Sequence, residues 1–195
     1  MRRAAVLALA VGLAFWAGRM GRTEKLLRIY RPGEEAISYS SYRYLRGHTQ
    51  TLANLTGFSE TVVPVEGSQV VARFVAGDYF GLLGEKALVG RTLAQSDEET
   101  ERAVLSESLW RRQFGGAPGV IGSRVRIGLR SVEVVGVAAL PEADVWIPMN
   151  RQADSSMVLY GKTKAGVSTQ AVQAELASLL LKWTKASESV PVTAL

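Results

Sequence analysis

The chain has 195 residues, 47% of them hydrophobic and 21% charged, and its lack of cysteine excludes a disulfide framework, a thiol nucleophile and any cysteine-ligated metal. The formal charge of +5 is carried at the front: residues 1–48 hold nine Lys and Arg against three Glu, and the rest holds fourteen cations against fifteen carboxylates. Cations beside an apolar segment meet lipid headgroups, whereas nucleic-acid binding needs a basic face on the folded part, so no nucleic-acid partner is expected.

The first element is an N-terminal apolar helix. Arg2 and Arg3 precede an uncharged run, Ala4 to Gly18, that ends at Arg19. Fifteen residues fall short of the roughly 20 needed to span a bilayer and sit at the top of the about 7–15 of a signal-peptide core. Cleavage after Ala17 or Gly18 would place Phe15 or Trp16 where a peptidase wants a small residue, and Trp16 suits a membrane interface. Residues 1–22 are therefore read as a membrane anchor or signal segment, in contact with the membrane through residues 4–18. Arg2 and Arg3 are balanced by Arg19, Arg22, Lys25 and Arg28, so flanking charge does not set the orientation.

Residues 23–195 form the folded part. Leu26–Tyr30 reads as a strand closed by Arg31-Pro32-Gly33, and Ser38 to His48 as a helix with Tyr39, Tyr42 and Leu45 near helical spacing. Leu55–Val65 and Gln69–Ala76 read as strands joined at Glu66-Gly67-Ser68, and Asp78–Leu83 as a short helix between Gly77 and Gly84. Gly90–Glu101 reads as a polar loop, Ala103–Leu105 as a buried strand, and Glu107–Phe114 as a helix stopped by Gly115-Gly116. Arg124–Ile127 and Ser131–Val137 form a hairpin around Gly128-Leu129, where glycine in first place predicts a type II′ turn. Asp144–Met149 and Met157–Thr163 are further strands. Ser168 caps the most regular helix, with Val172, Leu176, Leu179, Leu180 and Trp183 on one stripe, and Val190–Leu195 offers a last strand. Strands and helices mix without a βα repeat, which predicts an α+β fold with mixed or antiparallel sheets and packed helices.

The residues that could carry chemistry are few. His48, the single histidine, stands at a helix end where an imidazole caps carbonyls or meets solvent. Ser106 and Glu107 could be paired as nucleophile and base, with nothing to orient either. Asp97-Glu98-Glu99-Thr100-Glu101 lacks the spaced glycine and alternating ligands of a calcium loop and reads as a solvated acidic loop. Gly115–Gly122 lacks the Lys-Ser/Thr of a phosphate loop and follows a helix, so turn chemistry explains it. Tyr79 and Phe80 offer aromatic docking or core packing. No catalytic, cofactor-binding or metal-ligating residue is assigned, and no enzymatic activity or cofactor is expected.

Four stretches carry a resemblance. Val75-Ala76-Gly77-Asp78-Tyr79-Phe80-Gly81-Leu82-Leu83-Gly84 with Gly90-Arg91, then Ala103-Val104-Leu105-Ser106-Glu107-Ser108-Leu109-Trp110-Arg111-Arg112-Gln113-Phe114-Gly115-Gly116, stand in that order. Val120-Ile121-Gly122 through Val134-Val135-Gly136-Val137 with Asp144-Val145-Trp146-Ile147-Pro148, and Lys164-Ala165-Gly166-Val167-Ser168 with Ala171, Ala174 and Glu175, follow. Together they resemble the MacB-like periplasmic core domain of ABC-transporter permeases over about residues 26–195. The resemblance implies two α+β subdomains, one inserted in the other over roughly 77–148, in a non-catalytic module facing the periplasm or cell exterior from the bacterial inner membrane. It also implies a single-pass arrangement here, partners among ABC-transporter subunits (permease, ATPase) or a periplasmic adaptor, and a chain that stops before the family's further transmembrane helices. A soluble binding domain released by signal cleavage and a non-functional permease fragment are the alternatives.

Overall fold

The computed structural model describes residues 10–13, 24–31, 36–149 and 156–188. In chain order the elements are β1 (Ala10–Leu13), β2 (Leu26–Tyr30), β3 (Ile37–Ser38), α1 (Tyr39–His48), β4 (Leu52–Val65) and β5 (Ser68–Ala76). There follow α2 (Tyr79–Leu83), β6 (Ala87–Gly90), β7 (Arg102–Ser106), α3 (Glu107–Phe114), β8 (Arg124–Ile127), β9 (Arg130–Ala138), β10 (Val145–Pro148), β11 (Ser156–Thr163) and α4 (Thr169–Glu188). The chain divides into two compact units, Met1–Leu55 with Asp154–Leu195, and Thr56–Ala153. The second unit interrupts the first in sequence, and the expected insertion at roughly 77–148 lies within it.

In the first unit β2 pairs antiparallel with β11 and β1 (Leu159 opposite Ile29, Ala10 opposite Tyr30). The described residues of the apolar N-terminal run thus form a strand where the sequence predicts a helix; the rest of residues 4–18 lie outside the described residues. An apolar tetrapeptide is ambiguous between helix and strand, and the edge of β2 supplies the hydrogen bonds that decide it. The expected strand Val190–Leu195 also lies outside the described residues.

Helix α4 starts where the sequence places it. Ser168 Oγ accepts from Ala171 N at 3.1 Å, and Val172, Leu176, Leu179 and Leu180 are buried along one stripe. Its Glu175 carboxylate accepts hydrogen bonds from Thr49 Oγ1 (2.8 Å), Gln50 N (2.6 Å), Thr51 N (3.1 Å) and Thr51 Oγ1. This ties α4 to the turn after α1. Burial works against the charged carboxylate, but those donors outweigh it and hold its pKa below the ordinary value. Glu175→Ala is expected to cost about 2 kcal/mol, because four donors lose a charged acceptor in one step. Urea unfolding of the two proteins side by side measures the difference.

In the second unit the strands close on themselves. Neighbours run β4, β5, β10, β7, β9, β8 and back to β4, the last junction being Val65 opposite Ile127. The pairs β10–β5 and β7–β9 are parallel and the others antiparallel, so the sheet is mixed and the α+β expectation holds. Period-two alternation sorts the side chains into two cores. Val70, Ala72, Ala103, Leu105, Val145 and Ile147 pack in one with α3, while Val75, Val104 and Trp146 pack in the other with Tyr79 and Phe80 of α2. On β9, Val132 and Val134 share the first core with Val137, whereas Val135 joins the second. The phase slips because the β7–β9 register jumps from Ala103–Val134 to Val104–Gly136, leaving Val135 as a bulge.

Candidate functional site

The bulge lies where β9 pairs with β7 on one side and β6 on the other. Beside it, β6 runs antiparallel to β9, and its last residue, Gly90, has φ +70. A Cβ on Gly90 would lie 2.3 Å from Val135 O, and a Cβ on Gly136 would lie 2.0 Å from Arg91 O. Neither contact tolerates a side chain. Arg91 N donates to Val135 O at 2.9 Å, which fixes the start of the loop that follows.

That loop folds over Asp97. The sequence places Asp97 in a solvated acidic run; in the structure it is 1% exposed, and this corrects the reading for that residue. Arg91 Nη1 and Nη2 donate to its oxygens at 2.6 and 2.9 Å, Arg102 Nη1 at 2.6 Å and Ala94 N at 2.8 Å. The paired Arg91 guanidinium holds the carboxyl far below the ordinary carboxylate range, with Ala94 N and Arg102 adding to the effect against burial. Glu98 accepts from Gly77 N at 2.7 Å, while Glu99 and Glu101 are exposed. An open cleft of about 470 Å³ lies alongside, lined by Gly90, Arg91, Arg102, Ile121, Glu133 and Val135 among others. Its cations are already engaged by Asp97, and Arg102 Nε is 3.9 Å from Glu133 Oε2.

The other candidate residues are joints. Ser106 is buried and N-caps α3, its Oγ accepting from Leu109 N at 3.0 Å, while Glu107 pairs with Arg111 one turn on at 2.8 Å. The two side chains serve different contacts and form no nucleophile–base pair. His48, in the first unit, donates from Nδ1 to Tyr44 O at 2.8 Å and stacks on the Tyr44 ring, which in turn lies 5.0 Å from Trp183. Tyr79 and Phe80 are 4% and 1% exposed, so they pack and do not dock. Asp78 caps α2 through Gly81 N. In the glycine-rich stretch Gly115, Gly116 and Gly122 all have positive φ, and Trp110 Nε1 donates to Ala117 O at 2.9 Å. Asp144 accepts from Val71 N at 2.9 Å and from Arg112 Nη2 at 3.2 Å. Among the described residues no group of three His, Asp or Glu is placed to hold a metal ion.

The electrostatic environment moves these groups away from neutrality. Asp97 and Glu175 fall, burial raises Tyr79 although Arg73 opposes it, and Arg91 rises through its bond to Asp97. Proton transfer near neutral pH calls for the opposite tuning.

These features define an α+β module of two units whose buried and half-buried charges join its own elements. The chain belongs to the family of MacB-like periplasmic core domains, which matches residues 5–179. That family is the periplasmic part of ABC-transporter permeases, which is not a known enzyme class. Among solved structures the fold is similar to the extracellular domain of the noncanonic ABC-type transporter YknZ from Gram-positive bacteria. The TM-score is 0.63 at 14% identity, over 78% of this chain and 86% of that one. It is similar also to the periplasmic region of MacB from Actinobacillus actinomycetemcomitans, with a TM-score of 0.61 at 18% identity over 82% and 85% of the two chains. No curated protein matches by sequence. Among the described residues no helix is long and apolar enough to cross a membrane.

The motif residues that carry the family likeness find their physical reasons in these joints. Gly90-Arg91 and Val135-Gly136 are the two sides of one close backbone approach, Asp78 and Ser106 are helix caps, and Glu175 is the α4 tie. Sequence reading missed the Asp97 cluster, whose only signal was an arginine on either side of the acidic run.

Proposed function

We propose that this protein is a non-catalytic extracytoplasmic module of an ABC-type permease system. It is held at the inner membrane by residues 4–18 and transmits or receives force through contacts with permease, ATPase or adaptor subunits. The observation that carries the reading is that the motif residues given a structural role are joints: the caps Asp78, Ser106 and Ser168, the close approach of Gly90-Arg91 to Val135-Gly136, and the tie from Glu175 on α4 to the turn after α1. Joints preserve shape under load, which a coupling module requires and which chemistry at a pocket does not explain. Alkaline phosphatase fused after Leu195 should be active, since the enzyme needs an oxidising compartment; an inactive fusion retained in the cytoplasm overturns the placement.

The pairing of Ala10–Leu13 with β2 favours a second reading, in which the N-terminal run packs on the domain and leaves the bilayer. Carbonate extraction separates the two. A pellet-bound chain supports the anchor. An extracted chain with Met1 intact supports the packed strand, and an extracted chain with a new N-terminus supports release by signal cleavage.

A further inference from the structure

The β8–β9 hairpin ends in a feature that neither the fold nor the joints explain. Its register places Ile127 opposite Arg130, so Gly128 and Leu129 alone make the turn. Gly128 has φ +59, as the predicted type II′ turn requires. Leu129 at the apex is 95% exposed. Apolar side chains are exposed often enough singly, but the two strands that lead to this one carry three arginines, with a single carboxylate, Glu133, opposite Arg124 at the far end. Arg124 and Arg126 lie exposed on the outer face of β8, alternating with the buried Val125 and Ile127. Arg130 leans the other way, its guanidinium 5.5 Å from the centre of the Phe74 ring, and Arg124 bonds only Ser131, at Oγ and O. None of the three arginines forms an ion pair with a described carboxylate.

We propose that this hairpin tip is a contact for an anionic phospholipid surface, with Leu129 entering the headgroup layer and Arg124, Arg126 and Arg130 meeting lipid phosphates. Three observations favour lipid over a protein partner. The tip is convex, with its apolar residue at the extreme point, so it offers no pocket or flat patch for a partner to fill. Its cations stand on both faces of the hairpin, the arrangement for a finger pressed end-on into a plane of headgroups, whereas a side-on protein contact would use one face. Among the described residues the apex carries no Trp or Tyr anchor of the kind that dominates protein interfaces, and the one ring nearby, Phe74, is half-buried beneath Arg130. The proposal is independent of residues 4–18.

The absence of native cysteine allows a direct test. The full chain carrying Leu129→Cys, labelled with an environment-sensitive fluorophore, is titrated with phosphatidylcholine vesicles with and without phosphatidylglycerol. The label reports on the tip itself, whatever the N-terminal run does. A blue shift confined to the phosphatidylglycerol vesicles, and lost at high salt, is expected. Each arginine near an anionic surface is worth about fivefold in partitioning, so Arg124→Gln with Arg126→Gln should weaken the response by roughly twenty-five-fold. That pair leaves the Arg130–Phe74 packing intact. Adding Arg130→Gln should bring the loss to about a hundredfold. An unshifted label, an equal shift on neutral vesicles, or a shift produced by soluble polyglutamate in place of vesicles overturns the proposal, the last in favour of an acidic protein partner.

Discussion

Gly136→Ala is expected to abolish the folded second unit. The added methyl would lie 2.0 Å from Arg91 O, 2.8 Å from Arg91 C and 3.0 Å from Arg91 N. All three are backbone atoms, so no rotamer change makes room. Relief requires β6 to move away from β9, and that motion breaks the Arg91 N–Val135 O bond and displaces Arg91 from Asp97. Overpacking a core with flexible neighbours costs about 1–3 kcal/mol; here the neighbours cannot yield, and a cost of at least about 4 kcal/mol is expected, a large fraction of a domain's whole stability. Gly90→Ala should be comparable, since it combines a 2.3 Å contact to Val135 O with φ +70. Gly119→Ala is the control, because a Cβ there has no neighbour within 4 Å and its φ is not positive. Hydrogen exchange resolves the outcome by unit. Amides of β7 and β9 should lose protection in Gly136→Ala while those of β11 and α4 retain it. Wild-type protection in β7 and β9 would sink the close-approach argument.

Which parts of this arrangement could be read from sequence follows from how local their causes are. Helices α1, α3 and α4 were legible because their caps and stripes lie within a few residues of each other: Ser106 to Leu109, Ser168 to Ala171, Val172 to Leu180. The turn at Gly128-Leu129 was legible for the same reason. Strand β6 was not, because four residues, Ala87 to Gly90, carry too little pattern; their extended state is set by β9, some fifty residues on. The ring closure between Val65 and Ile127 has no local signal either. Asp97 shows the same limit in electrostatics. Among four other polar residues it reads as solvated, and only the fold brings Arg91 and Arg102 over it. Ala10–Leu13 is the converse case, where an apolar run legible as such took its conformation from the strand beside it. The family likeness located the important glycines and caps without indicating that two of the glycines touch each other's strand.

Asp97→Asn tests the ion cluster by removing one charge without changing shape. The carboxylate is 1% exposed, while Arg91 and Arg102 are 47% and 38% exposed. The arginines therefore keep much of their hydration, and the loss falls on the bonds to a buried anion. Breaking a buried pair costs about 3–5 kcal/mol, and the exposed sides of the guanidiniums place this case near 3 kcal/mol. For a chain of this size each kcal/mol lowers Tm by about 2–4 °C. The pH dependence has a defined sign. The folded-state pKa lies below the unfolded value of about 3.9, so the stabilisation is present in full above that value and is lost as pH falls through the acid range. Wild type should show a flat stability profile from neutral pH down to about 5 and then decline. Asp97→Asn should start lower and decline less, so the two curves converge in acid. Parallel curves would mean that Asp97 acts through packing alone. A second variant apportions the cluster: Arg102→Gln alone leaves Asp97 with Arg91 and Ala94 N, and should cost less than Asp97→Asn. Combined with Asp97→Asn it should add little, since the anion that Arg102 served is already gone. Full additivity of the two changes would show that Arg102 holds the loop by some route other than Asp97.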